Sequence, residues 1–174
     1  MSSKYLGFLA LAAVSVVAAC GAPVGTEPAD SKIVLGKTSG GTTTLTNPLA
    51  VCPTTPYDSV TVAVGTQGGT IQVGKHSLVI PARALSQTVT ISMVNPGDNT
   101  ASVRFHPGGL QFNWLALPVL TLNYKGCSTS AAPKIVYIDD TSYILEWLST
   151  LFLDPKNSQI QSYIQHFSRY AVAW

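Results

Sequence analysis

The pattern that most restricts the fold is a series of short apolar runs with a period of two, which begins at Tyr57. Successive side chains of a β-strand point to opposite faces, so this alternation predicts strands with one buried face. Turn sequences such as Asn95-Pro96-Gly97-Asp98 and Asp154-Pro155-Lys156-Asn157 separate the runs. Strands at this spacing predict an all-β fold over residues 57–174, an antiparallel β-sandwich of about 8–9 short strands.

The segment from Ile144 to Phe152 is the place where a helix competes with a strand. Its apolar residues also fit the apolar stripe of a helix: Ile144, Leu145, Leu148, Leu151 and Phe152. We favour the strand interpretation here and keep the helix as the alternative.

The N-terminal segment has the character of an export signal. Residues 1–19 carry one charge, Lys4, followed by an apolar run from Tyr5 to Ala19 that is shorter than the ~20 residues of a transmembrane helix. Val17-Ala18-Ala19-Cys20 fits the lipobox, an aliphatic residue and two small residues before the cysteine at which bacterial lipoproteins are cut and acylated. The pattern predicts a lipoprotein signal peptide with Cys20 as lipid attachment site; the alternative is an ordinary signal peptide cut after Ala19.

The segment that follows the lipobox predicts a tether. Residues 20–56 are rich in Gly, Ser, Thr and Pro, with few aliphatic residues in any period, and such a composition buries too little surface to order itself. A flexible stalk would hold the domain off a membrane to which the lipid binds. Gly21 is not the Asp that retains some lipoproteins at an inner membrane, which favours the outer membrane of a bacterial envelope.

The chain has three cysteines, Cys20, Cys52 and Cys127. If Cys20 carries lipid, the remaining two can form a disulfide in an oxidising compartment. Two free thiols are the alternative, because Cys52 lies in the predicted tether.

Several function classes are disfavoured by the sequence. Ten basic and eight acidic residues give a net charge of +2, too small for an electrostatic nucleic-acid binder. The segment Gly69–His76 nearly matches a nucleotide-binding P-loop, but His76 replaces the hydroxyl residue that Mg²⁺ needs, and the segment alternates like a strand. We therefore expect no nucleotide and no other cofactor.

A metal site is also not expected. The histidines, His76, His106 and His166, are spaced at intervals of 30 and 60 residues, without a close ligand pair. Asp139-Asp140 is interpreted as turn chemistry, with a weak calcium site as the alternative.

The tripeptide His166-Phe167-Ser168 is the candidate reactive motif. Residues i and i+2 share one face of a strand, which would place a base beside a nucleophile. In the ordinary interpretation the motif belongs to the last strand, Phe167 and Tyr170 fill the core, and the two polar side chains make common hydrogen bonds.

The sequence resembles a known family over Gln67–Trp174. The similar segments are Gly68–Ile71, Leu78–Leu85, Val89–Ile91, Phe105–Phe112 and Leu120–Tyr124. They resemble the ZU-five domain, a β-sandwich module of ankyrins, netrin receptors and zonula-occludens scaffolds, in its bacterial lipoprotein version. The family usually carries a glycine where this chain has Arg83, so that turn is expected to differ.

The resemblance implies a binding or scaffold module without a substrate. We therefore predict a lipid-anchored, non-catalytic β-sandwich of the bacterial envelope, with an unidentified protein or envelope partner. The alternative is a self-cleaving domain, since some animal relatives cut themselves at a His-Phe-Ser motif, which here lies at Phe167 and Ser168.

Overall fold

A computed structural model of the chain describes residues 48–128 and 130–174. This part of the chain is all-β, and its eleven strands are β1 (Asp58–Val64), β2 (Gly69–Val73), β3 (His76–Ile80), β4 (Val89–Asn95), β5 (Ser102–His106), β6 (Val119–Asn123), β7 (Lys134–Ile138), β8 (Ile144–Trp147), β9 (Thr150–Asp154), β10 (Gln159–Tyr163) and β11 (Arg169–Ala173). The predicted fold class is confirmed, with more strands than the expected number. None of the described residues forms a helix long and apolar enough to cross a membrane.

The strands form two antiparallel sheets. One sheet has six strands in the order β1-β4-β5-β11-β7-β8, and the other has five in the order β2-β3-β6-β10-β9. The chain changes sheets repeatedly, and the last change is the link from β10 to β11. That link contains His166, Phe167 and Ser168.

The main core fills the space between the sheets, as the alternation of apolar residues requires. Burial alternates along β2, β3 and β4, where every second side chain faces the core. The large buried side chains include Ile71, Leu78, Ile91, Met93, Phe105, Leu120, Leu122, Ile160, Phe167 and Tyr170. The Phe105 and Phe167 rings stack with centroids 4.8 Å apart, and Phe112 meets Phe167 edge-on at 5.0 Å.

The segment 144–154 forms β8 and β9, so the strand interpretation is confirmed and the helical alternative is not adopted. β9 is one of the strands beyond the expected count. Leu151, Phe152 and Leu153 are consecutive apolar residues, which show no period of two. They form a strand because their backbone pairs with β10, and Leu151 and Phe152 remain exposed.

The described residues before Tyr57 are packed against the domain, although the sequence places them in the tether. The Ala50 N–H donates to the Val172 carbonyl at 2.8 Å, and the Trp174 N–H donates to the Pro48 carbonyl at 3.0 Å. Leu49 is buried on a second, smaller cluster with Val136, Ile138, Ala171 and Ala173. The folded domain therefore includes Pro48–Pro56. Leu49 and Ala50 of this segment are buried by packing against the strands of the domain.

Candidate functional site

The His-Phe-Ser segment is a bent link between the two sheets, not a regular strand. The chain bends at Gln165 and Ser168, and β11 begins at Arg169. The expectation that residues 166 and 168 share the face of a strand is therefore corrected. His166 and Ser168 nevertheless both line one cleft with a volume of about 480 Å³.

The carbonyl groups of residues 165–168 in this link all accept hydrogen bonds. The Gln165 carbonyl accepts the Phe112 N–H at 3.1 Å. The Phe167 carbonyl accepts the Gly109 N–H at 2.8 Å, and the Ser168 carbonyl accepts the Phe105 N–H at 3.0 Å. The His166 carbonyl accepts the Tyr170 hydroxyl at 2.7 Å. Burial raises the pKa of that phenol, helped by the Glu146 charge and Tyr137, so it remains a proton donor. The link is thereby fixed against residues 105–112.

The side chains of the two candidate residues, His166 and Ser168, are not joined by a hydrogen bond in the described part of the chain. The His166 ring packs edge-on against the Tyr137 ring, with centroids 5.0 Å apart. Phe167, which lies between His166 and Ser168 in the sequence, is buried, as its interpretation as a core residue predicts.

The candidate cleavage position of the motif, between Phe167 and Ser168, has one feature that the sequence did not reveal. The Phe167 carbonyl, which Ser168 would attack, accepts the Gly109 N–H at 2.8 Å. Gly109 has a φ of 75°, the left-handed region that favours glycine. An N–H donor on an attacked carbonyl is the element that stabilises an oxyanion in acyl transfer. In the sequence, the Gly108-Gly109 pair indicates an unusual backbone conformation at this point. Only the fold shows that the Gly109 N–H donates to the Phe167 carbonyl.

Charged groups at the cleft are already engaged. Arg104 pairs with Asp140 at 2.6 Å, and Arg169 pairs with Asp98 at 2.7 Å. The Asp139 carboxylate accepts the Thr141 hydroxyl at 2.7 Å and the Tyr143 N–H at 2.9 Å. These hydrogen bonds, that of the Thr141 side chain foremost, hold the pKa of Asp139 below its usual range. Asp139 therefore stabilises the turn between β7 and β8 through these hydrogen bonds, in agreement with its interpretation as a turn residue.

The other candidate residues are dispersed. His76 lies at the start of β3, whereas His106 and His166 line the cleft. Within the described ranges, no three His, Cys, Asp or Glu side chains are grouped to hold a metal ion. The P-loop-like segment Gly69–His76 contains β2 and the turn to β3, which pair as a hairpin. Its alternation is that of a strand, as interpreted from the sequence.

The predicted pair of cysteines is confirmed. Cys52 and Cys127 form a disulfide with an S–S distance of 2.08 Å. It joins the packed segment before β1 to the loop after β6, where the Ser128 N–H also donates to the Val51 carbonyl at 2.8 Å. Cys20, the predicted lipid attachment site, lies outside the described residues, as do the signal peptide and most of the tether.

A second surface feature lies on strands β8 and β9, each of which is the edge of its sheet. Four large apolar side chains on these strands are between 45% and 53% exposed, Leu145, Trp147, Leu151 and Phe152, and we call them the edge surface. In the part of the chain that is described, β8 pairs with β7 alone and β9 with β10 alone. The outer backbone groups of both strands are therefore available. Sequence reasoning assigned these apolar residues to strands but did not predict their exposure.

No known protein-family model matches this sequence, and no curated protein is significantly similar to it. The resemblance to the ZU-five domain thus remains a prediction. The structure at Arg83 bears on one detail of it, because this residue adopts a φ of 67°. This φ lies in the left-handed region, which favours glycine, the residue that the resemblance would place here.

Proposed function

We propose that this chain is a lipid-anchored protein of a bacterial envelope whose β-sandwich binds a partner protein without catalysing a reaction. The lipobox at Cys20 supports the anchor, and the resemblance to the ZU-five domain supports a binding or scaffold role. The observation that carries the proposal is the edge surface on β8 and β9.

Free strand edges are normally protected in monomeric proteins. Charged residues, prolines and short strands are the common means, because an unprotected edge pairs with other chains. Here β8 carries Leu145 and Trp147 exposed on either side of Glu146, and β9 carries Leu151 and Phe152 exposed. Large exposed apolar groups beside free backbone donors and acceptors favour a docking surface.

The partner that fits this surface is an extended segment of another protein. Added strands gain main-chain hydrogen bonds from a free edge and place alternate side chains against its neighbours. Trp147 and Phe152 are of the aromatic type that often anchors such contacts. Glu146 and Asp154 add negative charge on the same two strands, so a segment with basic residues is complementary.

Photo-crosslinking in the native envelope tests this proposal. A photoreactive phenylalanine analogue is introduced at Leu145 or at Phe152 in the full chain, and at Val79 as the control. The Val79 side chain is 45% exposed, similar to Leu145 and Phe152, but β3 is an interior strand with a neighbour on each side. We expect one defined adduct with another protein from both edge positions, none from Val79, and loss of the adduct in the Trp147→Ser background.

Two results would contradict the proposed partner. An adduct with twice the mass of this chain would show that a second copy occupies the edge. Equal labelling at Leu145, Phe152 and Val79, or no adduct at either edge position, would show that the edge surface is not a binding site.

Self-cleavage between Phe167 and Ser168 is the second candidate function, favoured by the Gly109 N–H on the Phe167 carbonyl. The Ser168 hydroxyl oxygen would bond to the Phe167 carbonyl carbon, and the peptide C–N bond would break. His166 would carry the hydroxyl proton to the departing nitrogen, which becomes the amino group of Ser168. Water would then hydrolyse the ester to a Phe167 carboxylate and restore the hydroxyl.

Denaturing mass spectrometry of the mature protein distinguishes this candidate. Cleavage removes the seven-residue peptide Ser168–Trp174. A native measurement would miss it, because Tyr170, Ala171, Val172 and Ala173 are buried in the sheet. We expect the Ser168→Ala variant to remain full-length; a wild-type chain that is also full-length after prolonged incubation would exclude self-cleavage.

A further inference from the structure

A cavity distant from the His-Phe-Ser cleft lies at the disulfide end of the domain. Its volume is about 400 Å³, within the usual range of about 300–1,000 Å³ for small-molecule sites. The packed segment before β1 forms one wall, with Pro53, Pro56 and Tyr57, and the Cys52–Cys127 disulfide lies beside it. The opposite wall comes from the β2–β3 turn and the ends of β4 and β6. None of these residues belongs to the edge surface.

His76 and Asn95 are the buried polar side chains of this cavity. His76 is 7% exposed, and its Nδ1 accepts the backbone N–H of Asn123 at 3.2 Å. An imidazole that accepts at Nδ1 carries its proton on Nε2. In the described ranges that Nε2–H has no protein acceptor, and its nitrogen is not fully buried, so it can donate to water or to a ligand.

The charges around the cavity are predominantly positive. Lys75 and Lys125 line it, and neither takes part in an ion pair among the described residues. Asp58, the acidic residue of the lining, accepts the Gly74 N–H at 3.0 Å. The amide of Asn95 is occupied too, since it donates to the Thr55 hydroxyl at 3.0 Å and accepts the Gly97 N–H at 3.2 Å. The donors that remain available include the imidazole N–H and the two ammonium groups.

We propose that this cavity binds a small organic anion, a carboxylate on an apolar body. The carboxylate would accept the His76 Nε2–H and lie near Lys75 and Lys125, while the apolar body packs against Pro53, Pro56 and Tyr57. A carboxylate suits this arrangement because it accepts several hydrogen bonds and donates none. Cavities of this kind combine apolar walls with a few convergent polar groups.

Equilibrium dialysis with labelled phenylacetate tests the proposal on the full anchored chain in lipid nanodiscs, with empty nanodiscs as the blank. Phenylacetamide has nearly the same shape without the charge and is the matched ligand control. We expect phenylacetate to bind and phenylacetamide to bind about tenfold more weakly or not at all, because hydrogen bonds to charged groups are the stronger ones.

Variants assign the binding to this cavity. Lys75→Ala with Lys125→Ala should weaken phenylacetate binding about fivefold, whereas Lys134→Ala with Lys156→Ala, two exposed lysines away from the cavity, should not. His76→Phe removes the donor and should weaken binding about tenfold, and His76→Gln, which retains an N–H donor, should weaken it less. Trp147→Ser should leave the affinity unchanged.

The proposal is overturned if phenylacetamide binds as tightly as phenylacetate or if phenylacetate does not bind. It is also overturned if the two double-lysine variants behave alike. The lysine variants change exposed side chains only, so their result does not depend on whether the His76 variants fold.

Discussion

At the scale of single residues, the fold depends on positions whose local conformation or burial is unusual. Gly68 has a φ of 74°, and a Cβ built on it would lie 2.1 Å from the Ile80 carbonyl oxygen. Arg83 nearby also has a positive φ, and its N–H donates to the Thr66 carbonyl at 2.8 Å. These two positions bring the β1–β2 turn against the segment after β3.

Gly68→Ala should therefore be strongly destabilising. The added Cβ clashes with backbone, and the left-handed φ is unfavourable for alanine, so we expect a loss of about 3 kcal/mol or more in the free energy of unfolding. Gly108→Ala is the matched control, since a Cβ there meets no atom within 4 Å. Urea unfolding measures both variants; equal stabilities would show that the Gly68 turn is not as described.

His76 should make stability depend on pH. Burial, with a smaller contribution from the Lys75 charge, lowers the pKa of His76 from 6.5 to about 4. The unfolded chain then binds the proton more tightly than the folded one, so stability is complete above pH 6.5 and decreases as the pH falls toward 4. The total loss from this residue is about 3 kcal/mol at most.

Unfolding by urea at a series of pH values measures this contribution. The His76→Gln variant should lose less stability on acidification than the wild type, because glutamine does not titrate. The exposed His106 provides the control, and His106→Gln should retain the wild-type dependence. Identical pH profiles for His76→Gln and the wild type would refute the assignment.

At the scale of elements, the packing of Pro48–Pro56 is the feature that changes the domain most. The Cys52 N–H donates to the Asn99 carbonyl at 2.8 Å, and the disulfide fixes the same residue to the loop after β6. Ala50 is completely buried in the main core. This segment thus acts as an additional structural element that closes the sandwich and forms a wall of the end cavity.

Replacing both bridge cysteines by serine should lower the free energy of unfolding by about 2–4 kcal/mol, because the cross-link restricts the unfolded chain over a sequence separation of 75 residues. Phenylacetate binding should weaken as well, since the cavity loses its fixed wall. Thiol labelling of denatured, unreduced wild-type protein is the control measurement. Two reactive thiols in that protein would contradict the bridge.

At the scale of the whole molecule, the proposed anchor is Cys20, which is separated from the described domain by the 27 residues up to Asn47. We expect the mature protein to begin at Cys20 and to carry lipid there, because a lipobox cysteine is the residue at which the signal peptide is cut and to which the lipid is attached. The intact mass of the mature protein reports the cut and the acylation together.

Cys20→Ser should leave the chain uncut or soluble, because serine supplies no thiol for the diacylglycerol. Membrane fractionation with mass measurement of the variant checks this expectation. If Cys20→Ser still fractionates with membranes at the normal mature mass, the lipoprotein prediction is wrong.

The sequence by itself determined the fold class, because a period of two in short runs is compatible with strands that bury one face. It also predicted that Cys52 and Cys127 can pair, on the expectation that Cys20 carries lipid, with two free thiols as the alternative. It did not distinguish β9 from β8 as a separate strand, because the apolar residues of β9 do not alternate and its strand character comes from pairing with β10.

The tertiary structure decided what no local pattern encodes. Gly109 faces the Phe167 carbonyl, and His76 lies beside Lys125, only because the sheets bring distant segments together. Likewise Leu151 and Phe152 are exposed because β9 is an edge, a property of sheet order and not of the strand sequence. Alternation specifies which face of a strand is buried, whereas the order of strands specifies which residues share a site.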